Sequence, residues 1–394
     1  MKYKNASNIL PEELLELLQD YVQGEYIYVP VKDKNDKNNE ESRTDYKVEL
    51  EKRDAHIYTR YLEGITNKRL SQIYNLSESS IRRIIVNQRK EYLPVKNKLA
   101  QILGNWGLCD SDIKQIYDTS WQVGDTYVLK VYQDLDMLKR NIQILQILEK
   151  MNIPVGKIIP AKNDEQYVLV DNTFYFLSTK LSGSNVLRIG NNKEIALMMG
   201  EIIADLHGAF KKCEDSQIFW NNSLLEEMNG WVKRNLEDIN WKYVSKEEYE
   251  KTVSKLAVIY DDLPVQLIHR NVHLGNFLFS DGKFSGYIDF DLSQRNIRIF
   301  DLCYFLLGLL SEKTKFEITE EIWFEFLKDV FVAYNRKHEL TESERKAVPY
   351  VMECIELLFV SYFEGINDVR CAGDAYNIFN FVKRQEERIW RSIL

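Results

Sequence analysis

The stretch LIHRNVHLGNFLFSDGKFSGYIDFDLS, Leu267 to Ser293, decides how this chain is read. Asp281-Gly282 separates two apolar runs, NFLF and FSGYIDF, and such a dipeptide between hydrophobic segments predicts a β-hairpin. In that hairpin Asn276 stands just before the first strand and Asp289 at the end of the second, so both fall at the same end. An amide oxygen and a carboxylate converging on one point suit Mg2+ that bridges phosphate oxygens. An ordinary hairpin with polar ends is the plain alternative. A polar loop, an asparagine, a hairpin and an aspartate in this order favour a phosphate site.

The loop ahead of the hairpin, His269-Arg270-Asn271, occupies the place where kinases carry H-x-D, whose Asp accepts the proton of the attacking hydroxyl. Here that residue is Asn271, and an amide cannot take a proton. A positioned general base is worth ~10²–10⁴ in rate. Phosphoryl transfer draws most of its acceleration from positioning and electrostatics, so an Asn here predicts weak turnover with binding retained.

Working outward, the chain has 394 residues, room for two or three domains at about 100–200 residues each. Hydrophobic residues make up 45% and charged residues 28%, which predicts a globular protein with ample core. A net charge of −8 argues against nucleic-acid binding by the chain as a whole, and leaves a local basic face open. Five widely spaced cysteines without a CxxC pair predict reduced thiols and a cytoplasmic setting. The longest apolar run, Leu302–Leu310, is about half a membrane crossing and predicts a buried helix.

Upstream of the hairpin, IKQIYDTSWQVGDTYVLKVY reads as two strands turned at Gly124-Asp125. The second carries Lys130 inside an apolar run, where an ammonium needs a partner such as a nucleotide phosphate. DTSWQVGD offers Ser120 and backbone amides to phosphates in place of a glycine-rich loop. A helix over Asp136–Met151 and the strands QYVLV and TFYFLSTKL complete a small β-rich lobe. Leu177–Gly183, with Thr179, is the connection on which an adenine would bond. From Ser184 on the pattern is helical apart from the hairpin. His207 reads as a structural histidine on the apolar helix Ile195–Phe210.

At the N-terminus, Asn8–Val22 reads as a helix, Lys32–Arg43 as a polar loop and Tyr46–Leu62 as a longer helix. Leu70, Ile73, Leu76, Ile81, Ile84 and Ile85 then fit two short helices broken near Ser77, an N-cap, which is a helix-turn-helix pattern. Arg60, Lys68, Arg69, Arg82, Arg83, Arg89 and Lys90 face only Glu63 and Glu78 in this segment, a local net of +5. Arg82, Arg83 and Arg89 are thus candidate DNA contacts, with a solvated packing module as the alternative. The opening NASNILPEELLELLQDYVQGEYIYVP also resembles a family of short stand-alone helix-turn-helix proteins.

With strand lysine, connection, HRN loop, Asn276 and IDFD in order, residues 100–394 resemble the aminoglycoside phosphotransferase and choline kinase superfamily. The resemblance implies an α+β, two-lobed protein-kinase-like fold, with a small β-rich N-lobe and a helical C-lobe that bind ATP and Mg2+ between them. It implies that Lys130 touches the α/β-phosphates, that Asn276 and Asp289 hold the metal, and that Asp301 braces the catalytic loop. The family usually writes R-E-I where this chain has Arg140-Asn141-Ile142, so Asn141 replaces the acid that would pair the lysine; Glu149 is a distant substitute. The expected division is 1–93 helix-turn-helix domain, 94–182 N-lobe and 183–394 C-lobe. The expected function is an ATP-dependent transfer of the γ-phosphate to a small-molecule hydroxyl, weakened by Asn271. The alternative is a transcriptional regulator with a catalytically silent kinase-like sensor. Glu353, Glu356, Glu364, Asp368 and Asp374 among Tyr362, Phe363 and Tyr376 would suit a cationic substrate, and a solvated helix face explains them equally well.

Overall fold

A computed structural model describes residues 53–61, 65–74, 76–185, 189, 192–214 and 219–393. The chain divides into two compact units, Met1–His56 and Ile57–Leu394. The helix expected over Asn8–Val22 and the loop Lys32–Arg43 lie outside the described residues, and of Tyr46–Leu62 residues 53–61 are described and helical. All five cysteines are free thiols. Among the described residues no helix is long and apolar enough to cross a membrane.

Two helices open the second unit, α1 (Asn67–Tyr74) and α2 (Glu78–Leu103). Ser77 caps α2 as expected, its side chain accepting from the Ser80 amide. Leu70, Ile81, Ile84 and Ile85 pack with Ile57 and Tyr58 in a small core, whereas Ile73 turns outward at 43% exposure. The expected short second helix instead runs 26 residues, straight through Pro94 and the expected boundary at 93/94. A proline predicts a break because it removes one hydrogen bond and crowds the preceding turn. Here the helix continues, because its last turn is anchored: Leu99, Ile102 and Leu103 pack with Ile113, Trp121, Val123 and Leu129.

Those four residues belong to a five-stranded antiparallel sheet built from β1 (Ile113–Tyr117), β2 (Ser120–Val123), β3 (Tyr127–Tyr132), β4 (Val168–Val170) and β5 (Thr173–Thr179), ordered β1-β2-β3-β5-β4. The segment read as two strands is therefore three, because Asp118-Thr119 makes a second tight turn. Helix α3 (Leu135–Lys150) covers this sheet through Leu138, Ile142, Leu145 and Leu148.

The large lobe is mostly helical: α4 (Lys193–Glu214), α5 (Lys246–Tyr260), α6 (Ile299–Ser311), α7 (Glu320–Lys337), α8 (Glu342–Gly365), α9 (Val369–Arg384) and α10 (Glu386–Ile393). Gly200 lets α4 meet α7 closely, since a Cβ there would lie 2.3 Å from the Val330 carbonyl oxygen. Two small antiparallel pairs sit against the helices: β6 (Val265–Ile268) with β9 (Gln294–Ile297), and the hairpin β7 (Phe277–Ser280) with β8 (Lys283–Tyr287). Asp281 and Gly282 both adopt positive φ, 51° and 74°, as the mirror-image turn that twists with a hairpin requires.

The connection between lobes is fastened to that hairpin. Ser184 and Phe279 exchange both backbone hydrogen bonds, at 2.9 and 2.8 Å. Gly183 makes the approach possible: its φ is +110°, and a Cβ would fall 2.6 Å from the Phe279 carbonyl oxygen. The Asn185 amide donates to the carbonyls of Gly275 (2.6 Å) and Leu274 (3.1 Å). The lobe connection and the polar loop are thereby held as one piece.

Candidate active site

Lys130 leaves the middle strand of the small sheet and crosses to the end of the hairpin. Its Nζ lies 2.6 Å from Asp289 Oδ1 and 2.5 Å from Asp291 Oδ2. Burial opposes the ammonium charge, but Asp291 and Asp289 outweigh it and hold the lysine above its ordinary pKa. Burial likewise would raise Asp289, yet Lys130 prevails and keeps its carboxyl below the usual range. Ser120 stands directly opposite Lys130 in the β2–β3 register, so the two share a face of the sheet.

Asp291 is a site residue that the sequence reading passed over. It binds Lys130 and also accepts from the Tyr132 hydroxyl at 2.8 Å. Tyr132 in turn accepts from the Asn141 amide at 2.8 Å. Asn141 therefore buttresses the lysine's partner through a tyrosine instead of pairing the lysine itself. Glu149 is not a substitute, because it pairs Lys157 on the surface. The signal was available: two acids two residues apart at a strand end, facing a lone apolar-strand lysine.

The polar loop hangs from one buried carboxylate. Asp301, fully buried at the start of α6, accepts from the backbone amides of His269 and Arg270, both at 2.8 Å. His207 completes the brace, Nε2 to Asp301 at 3.0 Å and Nδ1 to the Tyr334 hydroxyl at 2.8 Å. Its reading as a structural histidine agrees with this. Arg270 is held at φ 70° and Asp289 at φ 68°, left-handed conformations that non-glycine residues adopt at a cost of about 1–3 kcal/mol. Both strained residues lie in the large lobe, one in the polar loop and one just past the hairpin.

Asn276 is buried, and its Nδ2 donates to the Asn271 carbonyl at 2.9 Å. Its own carbonyl accepts from Ile288, the residue before Asp289, at 3.1 Å. The two expected metal ligands are thus at one end of the hairpin, as read from the turn. Among the described residues nothing donates to Asn276 Oδ1, and Asp289 Oδ2 is likewise unclaimed. An amide oxygen and a carboxylate oxygen left open at the same end of the hairpin are the ligand types a hard divalent cation takes, with phosphate and water completing its shell. Among the described residues no cluster of three or more His, Cys, Asp or Glu offers an alternative metal site.

Asn271 Oδ1 accepts from the Tyr304 hydroxyl at 2.8 Å. Burial pushes Tyr304 up to about 12, so it stays a donor. Asn271 and Tyr304 line a cavity of about 500 Å³ together with Glu356, Phe359, Phe363 and Asp374. Of the acids and aromatics read as a substrate cluster, Glu356, Asp374 and Phe363 do line it. Glu364 is engaged by Lys242 and Tyr243, Asp368 caps α9, and Glu353 is buried against Thr252. Thr179 is also committed elsewhere: its amide donates to the Lys157 carbonyl at 2.8 Å and its hydroxyl accepts from the Lys157 amide at 2.9 Å.

At the other end of the second unit, Arg82 and Arg83 are exposed on the first turns of α2, Arg82 near Glu78 at 3.5 Å. The side chain of Arg89 lies outside the described ones.

Comparison with known proteins agrees with this geometry. Among solved structures, the chain resembles an amicoumacin kinase in complex with AMP-PNP, Ca2+ and Ami, at 16% identity and a TM-score of 0.58, over 76% of this chain and 96% of that one. It resembles an aminoglycoside phosphotransferase from Alicyclobacillus acidocaldarius subsp. acidocaldarius at 12% identity and a TM-score of 0.57, covering 74% and 94%. A microcompartment-associated aminopropanol kinase follows at 15% and 0.56, covering 74% and 97%. Identities this low speak for the fold, the two-lobed α+β arrangement expected from the sequence. A separate match, 33% identical over 88 residues, covers 22% of this chain and the whole of the uncharacterized protein YraL of Bacillus subtilis (strain 168). A sequence profile of the phosphotransferase enzyme family, APH, matches residues 113–345, from the first strand of the small lobe into α8, and by that match over more than half its length the chain belongs to this family of small-molecule phosphotransferases.

Proposed function

We propose that this chain binds ATP with Mg2+ between its lobes and transfers the γ-phosphate to a hydroxyl of a small molecule, at a rate limited by Asn271. The observation that carries the reading is the contact of Lys130 with Asp289 across the cleft, at 2.6 Å. The lysine is neutralised by two carboxylates, Asp289 and Asp291. Phosphate oxygens are competing partners for the same ammonium, and releasing Asp289 from it frees a metal ligand. A divalent ion held there would supply positive charge against the charge that develops on the phosphates. Asn276 and Asp289 are the residues to hold it, and the complex of the amicoumacin kinase with AMP-PNP and Ca2+ supports a nucleotide with a divalent cation.

Asp301 and His207 keep the loop in place, Ser120 and the turn at Asp118-Thr119 would hold the phosphates, and the connection ending at Gly183 would meet the base. The cavity beyond Asn271 receives the acceptor. Exposed Asp374 among Tyr304, Phe359 and Phe363 supports a cationic acceptor. The test is ATP consumption over aminoglycosides, amino alcohols and homoserine-like compounds, with the chain as written and with Asn271→Asp. Turnover rising by ~10²–10⁴ in the aspartate form is expected. Tight ATP·Mg2+ binding with no turnover in either form would overturn it.

A second reading is favoured by exposed Arg82 and Arg83 after a tight turn between helices. In it the region before the small lobe, 1–93, is a helix-turn-helix domain that contacts DNA through residues 60–90, Arg89 included, and the lobes 94–182 and 183–394 sense a ligand. Duplex binding that weakens steeply with salt, and weakens again in Arg82→Ala/Arg83→Ala, is the expected result. Salt-independent or absent binding refutes it.

A further inference from the structure

The proton of the attacking hydroxyl needs an acceptor, and residue 271 cannot be it. Tyr304 fixes the orientation of the Asn271 amide by donating to Oδ1. Among the described residues its Nδ2 has no acceptor, so the amide meets the cavity as an N–H donor. A substrate hydroxyl that accepts from that N–H turns its own proton away, toward another wall of the cavity.

Few groups there can receive it. Glu312 is exposed, with both oxygens on Lys315 at 2.9 Å. His273 Nδ1 accepts from the Gly275 amide at 3.0 Å, which leaves the ring proton on Nε2 and makes that atom a donor. Asp374 is exposed to water. Glu356 differs from all of these. It is only 4% exposed, it lines the cavity, and among the described residues no hydrogen bond or ion pair engages its carboxylate. A buried carboxylate with no partner is expensive, and is retained where it has something to bind.

We propose that Glu356, projecting from α8 into the cavity beside Tyr304, takes the proton of the attacking hydroxyl in place of residue 271. This rests on the phosphotransfer reading above. The substrate O–H bond breaks as its oxygen forms the bond to the γ-phosphorus. The bond from that phosphorus to the β,γ-bridging oxygen breaks, and its electron pair leaves with ADP. The proton becomes that of the Glu356 carboxylic acid and passes to water once product departs.

Burial holds the Glu356 carboxyl well above its usual range. The ionised, accepting form therefore grows as pH rises, and turnover climbs with alkalinity. Tyr304, Glu312 and Lys315 from α6 and its end, His273 from the loop, Asp374 and Cys371 from α9, and Tyr117 from β1 are the other titratable groups that line the cavity.

Four proteins test this: the chain as written, Asn271→Asp, Glu356→Gln, and the double variant, each assayed with ATP·Mg2+ and a hydroxyl acceptor found in the screen. Glu356→Gln is expected to lower kcat at least 100-fold in the chain as written, and by at least tenfold less in the Asn271→Asp background. The alkaline rise in kcat is expected in the chain as written and lost in Asn271→Asp. Turnover by the double variant controls for folding. Equal losses in both backgrounds, a change confined to KM, or no measurable turnover of the chain as written beside an active Asn271→Asp would each overturn the proposal. If Asn271→Asp transfers phosphate to nothing while binding ATP·Mg2+, the phosphotransfer reading fails first and this one falls with it.

Discussion

Replacing Lys130 by Met removes the cation that holds Asp289 and Asp291 together. The two carboxylate oxygens contact one Nζ at 2.6 and 2.5 Å, so they are at most about 5 Å apart. Two unit charges at that separation repel by about 3 kcal/mol at an effective dielectric of about 20. Asp289 keeps 41% of its side-chain surface exposed, so solvent screens part of this. A loss of about 1–3 kcal/mol at neutral pH is the expected cost. The pH dependence reverses as well. With Lys130 present, Asp289 is held below the usual carboxylate range, so its contribution is present at neutral pH and lost as pH falls. In Lys130→Met the two carboxylates repel each other without a cation between them, and the deficit shrinks as acid neutralises one of them. Mg2+ then finds two unpaired carboxylates and restores more stability to the variant than to the parent. Urea unfolding at several pH values, with and without Mg2+, measures all three effects. A variant as stable as the parent, with the same response to Mg2+, refutes the clamp.

Asp301→Asn removes one anionic acceptor from two backbone amides and His207, and the loop should lose about 2–4 kcal/mol with turnover falling together with it, read by thermal unfolding and kcat. Gly183→Ala places a Cβ 2.6 Å from the Phe279 carbonyl at a φ of +110°, so hydrogen exchange at Ser184 and Phe279 should quicken while small-lobe amides stay protected. Burial pushes Glu353 up to about 8, so the folded chain keeps a proton that the unfolded chain releases above about 4.5. Stability contributed there is full below that point and is lost as pH rises toward 8. Glu353→Gln should flatten this slope in denaturant titrations, and an unchanged slope would place the effect elsewhere.

How much of the site could be read in advance follows the range of the interactions. Asn276 and Asp289 were legible because a two-residue turn fixes which strand ends meet. Lys130 was legible because an ammonium in an apolar strand demands a partner. Which partner was not legible: the lysine's acids lie 159 and 161 positions on, and Asn141 acts through Tyr132. Thr179 looked available because a strand end usually is, yet the segment at Lys157 comes back to saturate it. The run of α2 past Pro94 escaped a local rule because the hydrophobic anchor at Leu99–Leu103 lies in another element's core. Glu356 was named only as one acid among several. Its isolation depends on what α6 and α9 bring around it, which no helical periodicity reveals.

The unbroken length of α2 has a mechanical consequence. Twenty-six residues at about 1.5 Å each make a rod of about 39 Å, bolted at one end to the small-lobe sheet and carrying Arg82 and Arg83 at the other. Such a rod is a lever arm. Tilting the small lobe by about ten degrees sweeps the far tip through about 7 Å, so whatever opens or shuts the cleft also relocates the arginines without touching them.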